Sequence, residues 1–234
     1  MAISADTRLV ALLGHPVAHS LSPRMQNAAF AARGLDWAYV AVDVPSERLD
    51  EAVSGLAALG FAGANVTAPH KLDVARLDVV ETDAPSVNIL RFLDGRIEGW
   101  TSDAAIIDHL DARAPVILGD GGSATAFVHA FRKRNAEVRQ FSRRGEWPPD
   151  VRGADVVINA TPVRDEVLAE LREGQTLVDL PYPDSATARV ARDAGATVID
   201  GLEVLVRQGA ASFELWTSVS APLDVMRNAV RSAP

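Results

Sequence analysis

Short apolar runs alternate along this chain with stretches whose apolar positions recur at helical spacing. The apolar runs predict strands at Leu9–Leu13, Trp37–Val42, Phe61–Val66, Val116–Leu118, Glu137–Phe141, Val156–Asn159, Thr176–Leu180 and Thr197–Asp200. The helical spacing predicts helices over Pro23–Arg33, Leu49–Ala58, Ala104–Leu110, Ala124–Lys133, Ala186–Asp193, Val204–Thr217 and Leu223–Arg231. Strands alternating with helices are the mark of α/β architecture. Asn88–Phe92 and Arg96–Trp100 read as a hairpin, because Asp94-Gly95 between them is a favoured type I′ pair. No internal repeat or low-complexity tract interrupts the pattern.

A glycine-rich turn at Gly119, near mid-chain, divides this pattern and suggests two domains, the second beginning near Ser102. With 234 residues there is material for both cores. Hydrophobic residues at 48% and charged residues at 23% are ordinary for a soluble globular protein. The net charge of −8 argues against a general nucleic-acid or anionic-membrane partner. Without cysteine there is no disulfide, thiolate metal site or cysteine nucleophile. The five histidines, His15, His19, His70, His109 and His129, show no paired metal-ligand spacing, so no metal is expected. The stretch Met1 to Arg8 lacks the basic start and apolar run of a signal peptide, and no run approaches the ~18 apolar residues of a membrane helix. A soluble, cytoplasmic protein is the expectation.

Four stretches could carry chemistry. Asn65-Val66-Thr67-Ala68-Pro69-His70-Lys71 places polar groups and a lysine directly after a buried strand, where Pro69 ends ladder pairing. Strand ends are where α/β sheets hold ligands, and a lysine there can transfer protons; it can equally be a solvated residue in a helix's first turn. Gly119-Asp120-Gly121-Gly122-Ser123-Ala124 follows the apolar strand Pro115–Leu118 and opens a helix, the context of a dinucleotide-binding turn, although a purely structural turn has the same look. Asp120 would repel a pyrophosphate unless it points away. The next strand ends Phe141-Ser142-Arg143-Arg144, where a carboxylate for ribose hydroxyls is usual in NAD enzymes; two arginines there suit a 2′-phosphate and favour NADP, or form a solvated basic loop. Ser20-Leu21-Ser22-Pro23 reads as a helix start, with Ser22 as N-cap and Pro23 as N1, and its two serines, on one side of an extended segment, could also hold a small carboxylate. Asp103 would open the helix after the hairpin, favoured by the helix dipole, and a carboxylate near Lys71 would hold its ammonium in place.

Taken together these stretches resemble the shikimate dehydrogenase family. The matching segments are Gly14 through Pro23, Asn65 through Lys71, Val87-Asn88, Ser102-Asp103, Gly119 through Ala124, Ser142-Arg143, Asn159-Ala160-Thr161-Pro162, Asp179-Leu180-Pro181-Tyr182 and Gly201 through Trp216, in the family's order over nearly the whole chain. The resemblance implies an N-terminal α/β substrate domain closed by the C-terminal helices (1–101 and 204–234) and a Rossmann-type NADP-binding domain (102–203). It implies that Lys71 and Asp103 are the catalytic pair, that Ser20 and Ser22 bind the substrate carboxylate, and that Thr67, Asn88 and Gln208 hold ring hydroxyls or carboxylate beside Tyr182. On the cofactor side it implies Gly119, Gly121, Gly122 and Ser123 at the pyrophosphate, Ser142, Arg143 and Arg144 at the 2′-phosphate, and Thr161 and Gly201 nearby. The implied activity is reversible NADP-linked reduction of 3-dehydroshikimate to shikimate, in the cleft between the domains of a monomer or homodimer.

The chain departs from the family pattern in several places. Ile89 stands where a threonine is usual, Thr101-Ser102-Asp103 replaces Asn-Thr-Asp, and Val204 replaces a methionine. Between Arg143 and Asn159 the interval is 159 − 143 = 16, too short for the family's helix and strand, with Gly145–Asp150 as a loop instead. The glycine-methionine expected after Pro162 is missing. The cofactor domain therefore reads as trimmed on its adenosine side. Alternatives are a quinate/shikimate or aminoshikimate-type dehydrogenase, or a catalytically silent ligand-binding homologue.

Overall fold

The computed structural model describes residues 3–232 and divides into two compact units, one holding the chain up to Ser102 and again from Val206, the other Asp103–Leu205. The first unit runs β1 (Arg8–Gly14), α1 (Ser22–Ala32), β2 (Trp37–Asp43), α2 (Leu49–Ala58), β3 (Gly63–Val66), the short α3 (Lys71–Val74), β4 (Val80–Glu81), β5 (Ile89–Leu93) and β6 (Arg96–Trp100). Its sheet has the order β2-β1-β3-β5-β6-β4. β1 is parallel to β2 and β3, while β5 is antiparallel to both β3 and β6. β1 is buried from Val10 to Gly14, which explains its unbroken apolar run: a strand covered on both faces has no polar side. Ala11 and Leu13 join Ala64, Val66 and the α2 residues Val53 and Leu56 in one core cluster.

Local chemistry sets two of these boundaries. Phe61 does not belong to β3, which starts at Gly63; Phe61 N–H instead donates to Leu56 O and Gly60 N–H to Ala57 O, both at 3.1 Å. With Gly60 at φ +78° this is a Schellman close of α2. The hairpin is as the Asp-Gly pair predicts: Asp94 and Gly95 have φ of +50° and +78°, and Leu93 pairs with Arg96 across the turn.

The central unit contains β7 (Val116–Leu118), α4 (Gly122–Lys133), β8 (Arg139–Phe141), β9 (Val156–Asn159), β10 (Thr176–Asp179), α5 (Ala186–Asp193) and β11 (Thr197–Ile199). All its strands are parallel, in the order β11-β10-β9-β7-β8. This is a doubly wound sheet whose first strand β7 has β8 on one side and β9 on the other, so the strand order reverses at β7. A full sheet of this type continues beyond its second strand; here β8 is the edge, and residues 142–155 contain neither strand nor helix. The expected helix over Ala104–Leu110 is instead a 3-10 segment, Ala105–His109, with no side-chain cap and with Leu110 extended. So short a stretch cannot repay the cost of nucleating an α-helix.

The chain finishes with α6 (Gly201–Thr217) and α7 (Leu223–Arg231). From Val206 onward α6 belongs to the first unit: Phe213 stacks on Phe30 at 5.3 Å, and Trp216 Nε1 donates to Leu90 O at 3.0 Å. Gly63 makes room for that tryptophan, since a Cβ there would lie 2.3 Å from Leu90 O and 2.4 Å from Trp216 Nε1. Gly63→Ala should therefore destabilise the protein by about 1–3 kcal/mol, as overpacking does. The expected signature is a lower denaturation midpoint with an unchanged m-value.

Candidate active site

In the first unit the chemistry gathers where β3 ends. Thr67 N–H donates to Leu13 O at 2.8 Å, and its methyl fills the space a Cβ on Gly14 would take, 2.4 Å away. His70 is fully buried and its Nε2 donates to Val44 O at 2.7 Å; it is a structural anchor under the turn, which leaves its neighbour Lys71 half-buried at the start of α3. Val87 N–H donates to Lys71 O at 2.9 Å, tying the lysine's backbone to the approach of Asn88.

Asn88 lies in a buried amide network. Its Oδ1 accepts from Ser102 N–H at 2.8 Å, and its Nδ2 donates to Ser102 Oγ at 3.1 Å and to Gln208 Oε1 at 3.4 Å. Ser102 and Ser212 hydroxyls both donate to Gln208 O, at 3.2 and 3.1 Å. Asn65 continues the chain, donating to Asn88 O at 3.0 Å and Ser212 Oγ at 2.8 Å and accepting from Tyr39 Oη at 2.8 Å. The structure thus brings Asn88 and Gln208 together and adds Tyr39, Asn65, Ser102 and Ser212 as their support. Sequence reasoning gave those four no role, although Asn65, Ser102 and Ser212 lie within segments it had singled out.

Ser20 and Ser22 do not lie along an extended segment. Leu21 is the N-cap, with helical φ −85° and ψ −6°, and Ser22 is already inside α1. Ser22 N–H donates to Ser20 Oγ at 3.2 Å. Ser20 Oγ therefore takes the N–H of the first helical residue, and the N-cap expected at Ser22 falls instead on Leu21, with no side-chain cap bond.

In the central unit the loops after β7 and β9 meet at the strand-order reversal. Gly119 has φ +116° and a Cβ there would press on Ala160 O at 3.0 Å, so only glycine fits. Gly121 is the N-cap of the twelve-residue α4, and a Cβ on it would meet nothing within 4 Å; a helix N-terminus opened by glycine suits a pyrophosphate. Ser123, expected at the cofactor, donates its hydroxyl to Asp103 Oδ2 at 3.0 Å. Asp103 is buried and does not open an α-helix; it precedes the 3-10 segment.

The Asp120 carboxylate is held in an ion pair. Arg144 grips it through Nε and Nη2 at 2.9 and 2.7 Å, and this, with a further hydrogen bond from Ser142, holds its carboxyl below the usual carboxylate range against the opposing effect of burial. Arg143 pairs with Glu166 and lies 5.7 Å from the Trp147 ring centroid. Thr161 donates its N–H and hydroxyl to Asn159 Oδ1 at 3.2 and 2.7 Å, and Asn159 in turn donates to the buried Asp179. Gly201 is needed for packing: a Cβ would lie 2.4 Å from Leu180 O and 2.5 Å from Pro181 O. Tyr182 follows β10 and is half-buried. Among the described residues no cluster of potential metal ligands exists, and no helix is long and apolar enough to cross a membrane.

A glycine turn running into a helix N-terminus at the reversal of a parallel sheet, with arginines after the second strand, defines a dinucleotide-binding protein. Two family models match the chain: the shikimate dehydrogenase substrate binding domain over residues 12–89 and the shikimate 5′-dehydrogenase C-terminal domain over 201–231. The curated shikimate dehydrogenase (NADP(+)) of Methanopyrus kandleri is 38% identical over 281 aligned positions, covering 98% of this chain and 97% of that protein. The alignment is longer than this chain of 234 residues, so the relative carries stretches this chain lacks. The crystal structure of shikimate dehydrogenase from Aquifex aeolicus superposes with TM-score 0.90 at 29% identity, covering 99% of this chain and all of that one. The Thermus thermophilus enzyme in complex with NADP(H) and shikimate gives TM-score 0.84 at 31% identity, covering 96% and 99%. The chain belongs to the shikimate dehydrogenase family.

Proposed function

We propose that this chain is an NADP-dependent shikimate dehydrogenase, reducing 3-dehydroshikimate reversibly to shikimate in aromatic amino-acid (chorismate) biosynthesis. The observation that carries the reading is full-length likeness to enzymes of that activity in a chain that keeps Lys71, Asp103 and the Gly119 turn. The residues 1–101 and 204–234 serve as the substrate domain and 102–203 as the cofactor domain.

The α4 N-terminus and Gly121 receive the pyrophosphate, and Arg143 with Arg144 receives the 2′-phosphate. NADPH, when bound, supplies the hydride that reaches the ring carbonyl carbon. Lys71 donates a proton to the carbonyl oxygen during reduction and takes it back during oxidation. Asp103 orients Lys71 and accepts a neighbouring hydroxyl. Ser20 and Ser22 hold the carboxylate, while Thr67, Asn88, Gln208 and Tyr182 fix the ring, which supplies near-attack geometry. The same reading makes the protein a cytoplasmic enzyme, monomeric or homodimeric, whose partners are small molecules.

Nicotinamide absorbance of the purified protein tests this, with NADPH against NADH and shikimate against quinate. Turnover is expected with NADP and shikimate; absence of turnover with every pair would overturn the reading. Arg143→Ala should weaken NADPH binding about tenfold and leave NADH nearly unchanged, since only the former loses a charge-assisted hydrogen bond. The loss stays modest because Arg143 must leave Glu166 to reach the phosphate. Equal losses for both nucleotides would remove Arg143 from the phosphate site.

A further inference from the structure

We propose that Ser123 is a positioning residue for Asp103, its hydroxyl tying that carboxyl group to the end of α4. The inference deepens the proposed function and rests on its reading of Asp103 as catalytic and of the Gly119 turn as the cofactor loop. Within Gly119-Asp120-Gly121-Gly122-Ser123-Ala124 the glycines carry no side chain and Asp120 is turned toward Arg144. Ser123 therefore carries the only hydroxyl in that turn, and it sits two residues past the N-cap of α4.

A serine in this first turn commonly serves the helix's own free amides or an anion bound there. Here Oγ instead donates at 3.0 Å to Oδ2 of Asp103, twenty residues earlier in the chain and only 3% exposed. Fixing one oxygen fixes the plane of the carboxyl group, and with it the direction in which Oδ1 points. A charge-assisted bond in so dry a setting is strong enough to set that orientation. The same residue belongs to the turn that would receive the pyrophosphate. Any adjustment of the turn on nucleotide binding thus carries Ser123 with it and is felt at Asp103. An alanine at 123 would keep the helix and remove the hydroxyl that makes this link.

Steady-state kinetics of Ser123→Ala, Ser123→Thr, Asp103→Asn and the Asp103→Asn/Ser123→Ala double variant test the link, with melting temperature as the fold control. We expect Ser123→Ala to lower kcat about tenfold, the scale of one hydrogen bond to a charged group, with KM for NADPH changed less than about threefold. Ser123→Thr, which keeps the hydroxyl, should restore most of kcat. In the Asp103→Asn background Ser123→Ala should cost almost nothing further. An unchanged kcat, a loss confined to KM for NADPH, or full additivity in the double variant would each overturn the proposal. The catalytic reading of Asp103 fails separately, by wild-type turnover in Asp103→Asn alone.

Discussion

Lys71→Ala should lower kcat by roughly 10²–10⁴-fold, the usual cost of removing a group that transfers a proton in the transition state. KM for shikimate should move far less, because the carboxylate and ring contacts assigned to Ser20, Ser22, Asn88 and Gln208 remain. The substitution should also leave the fold intact. The turn before α3 is held by buried His70 on Val44 O, and Lys71 engages Val87 through its backbone carbonyl, an interaction that alanine keeps. Lys71→Arg should rescue little, since a guanidinium retains its proton at any working pH and cannot serve as acid and base in turn. The measurement is turnover in both directions, with NADPH binding and melting temperature as controls. Unchanged kcat in Lys71→Ala would remove this lysine from the mechanism.

Features written in neighbouring residues were legible in the sequence. The parallel strands show as apolar runs because they are covered on both faces, and the Asp94-Gly95 turn is legible because positive φ at two successive residues leaves few choices. The turn at Gly119 was legible because glycines cluster between a strand and a helix, with Gly119 itself at φ +116°, and the missing outer strand could be read from the short interval after Arg143. Polar contacts between distant residues could not be read. Asn65 meets Ser212 and Asn88 meets Gln208 only because α6 lies against the sheet, and no local pattern marks such pairs. Asp120 shows the limit well: its charge raised a conflict with phosphate binding, and the arginine that pairs with it lies twenty-four residues away. Where local rules failed, a competing local term had won. α1 starts one residue earlier than expected, at Ser22, whose N–H goes to Ser20 Oγ, and the stretch after Asp103 was too short for an α-helix.

Asp179→Ala should strongly destabilise the central unit. Asp179 is fully buried at the end of β10. It accepts Asn159 Nδ2 at 2.7 Å, Ser185 Oγ at 2.9 Å and Ser185 N–H at 3.0 Å. Alanine would strand all three donors away from water, and each unsatisfied donor costs about 1–3 kcal/mol. Partial relaxation brings the expected loss to about 3–5 kcal/mol, a large part of an ordinary domain's stability. Ser185 also caps α5 by accepting Ala188 N–H at 3.1 Å, so the helix start loses its anchor with the strand end. The effect should reach the cofactor side, because Asn159 Oδ1 holds Thr161 in place and Asp179 holds Asn159. A melting transition lowered by roughly 10 °C should therefore accompany a raised KM for NADPH, with KM for shikimate little changed. Asp179→Asn, which keeps one acceptor oxygen but points an amide at Ser185 N–H, should fall between the two. A variant that melts like the wild type would show that the three donors find other partners and that this buried carboxyl group does not hold the nucleotide edge together.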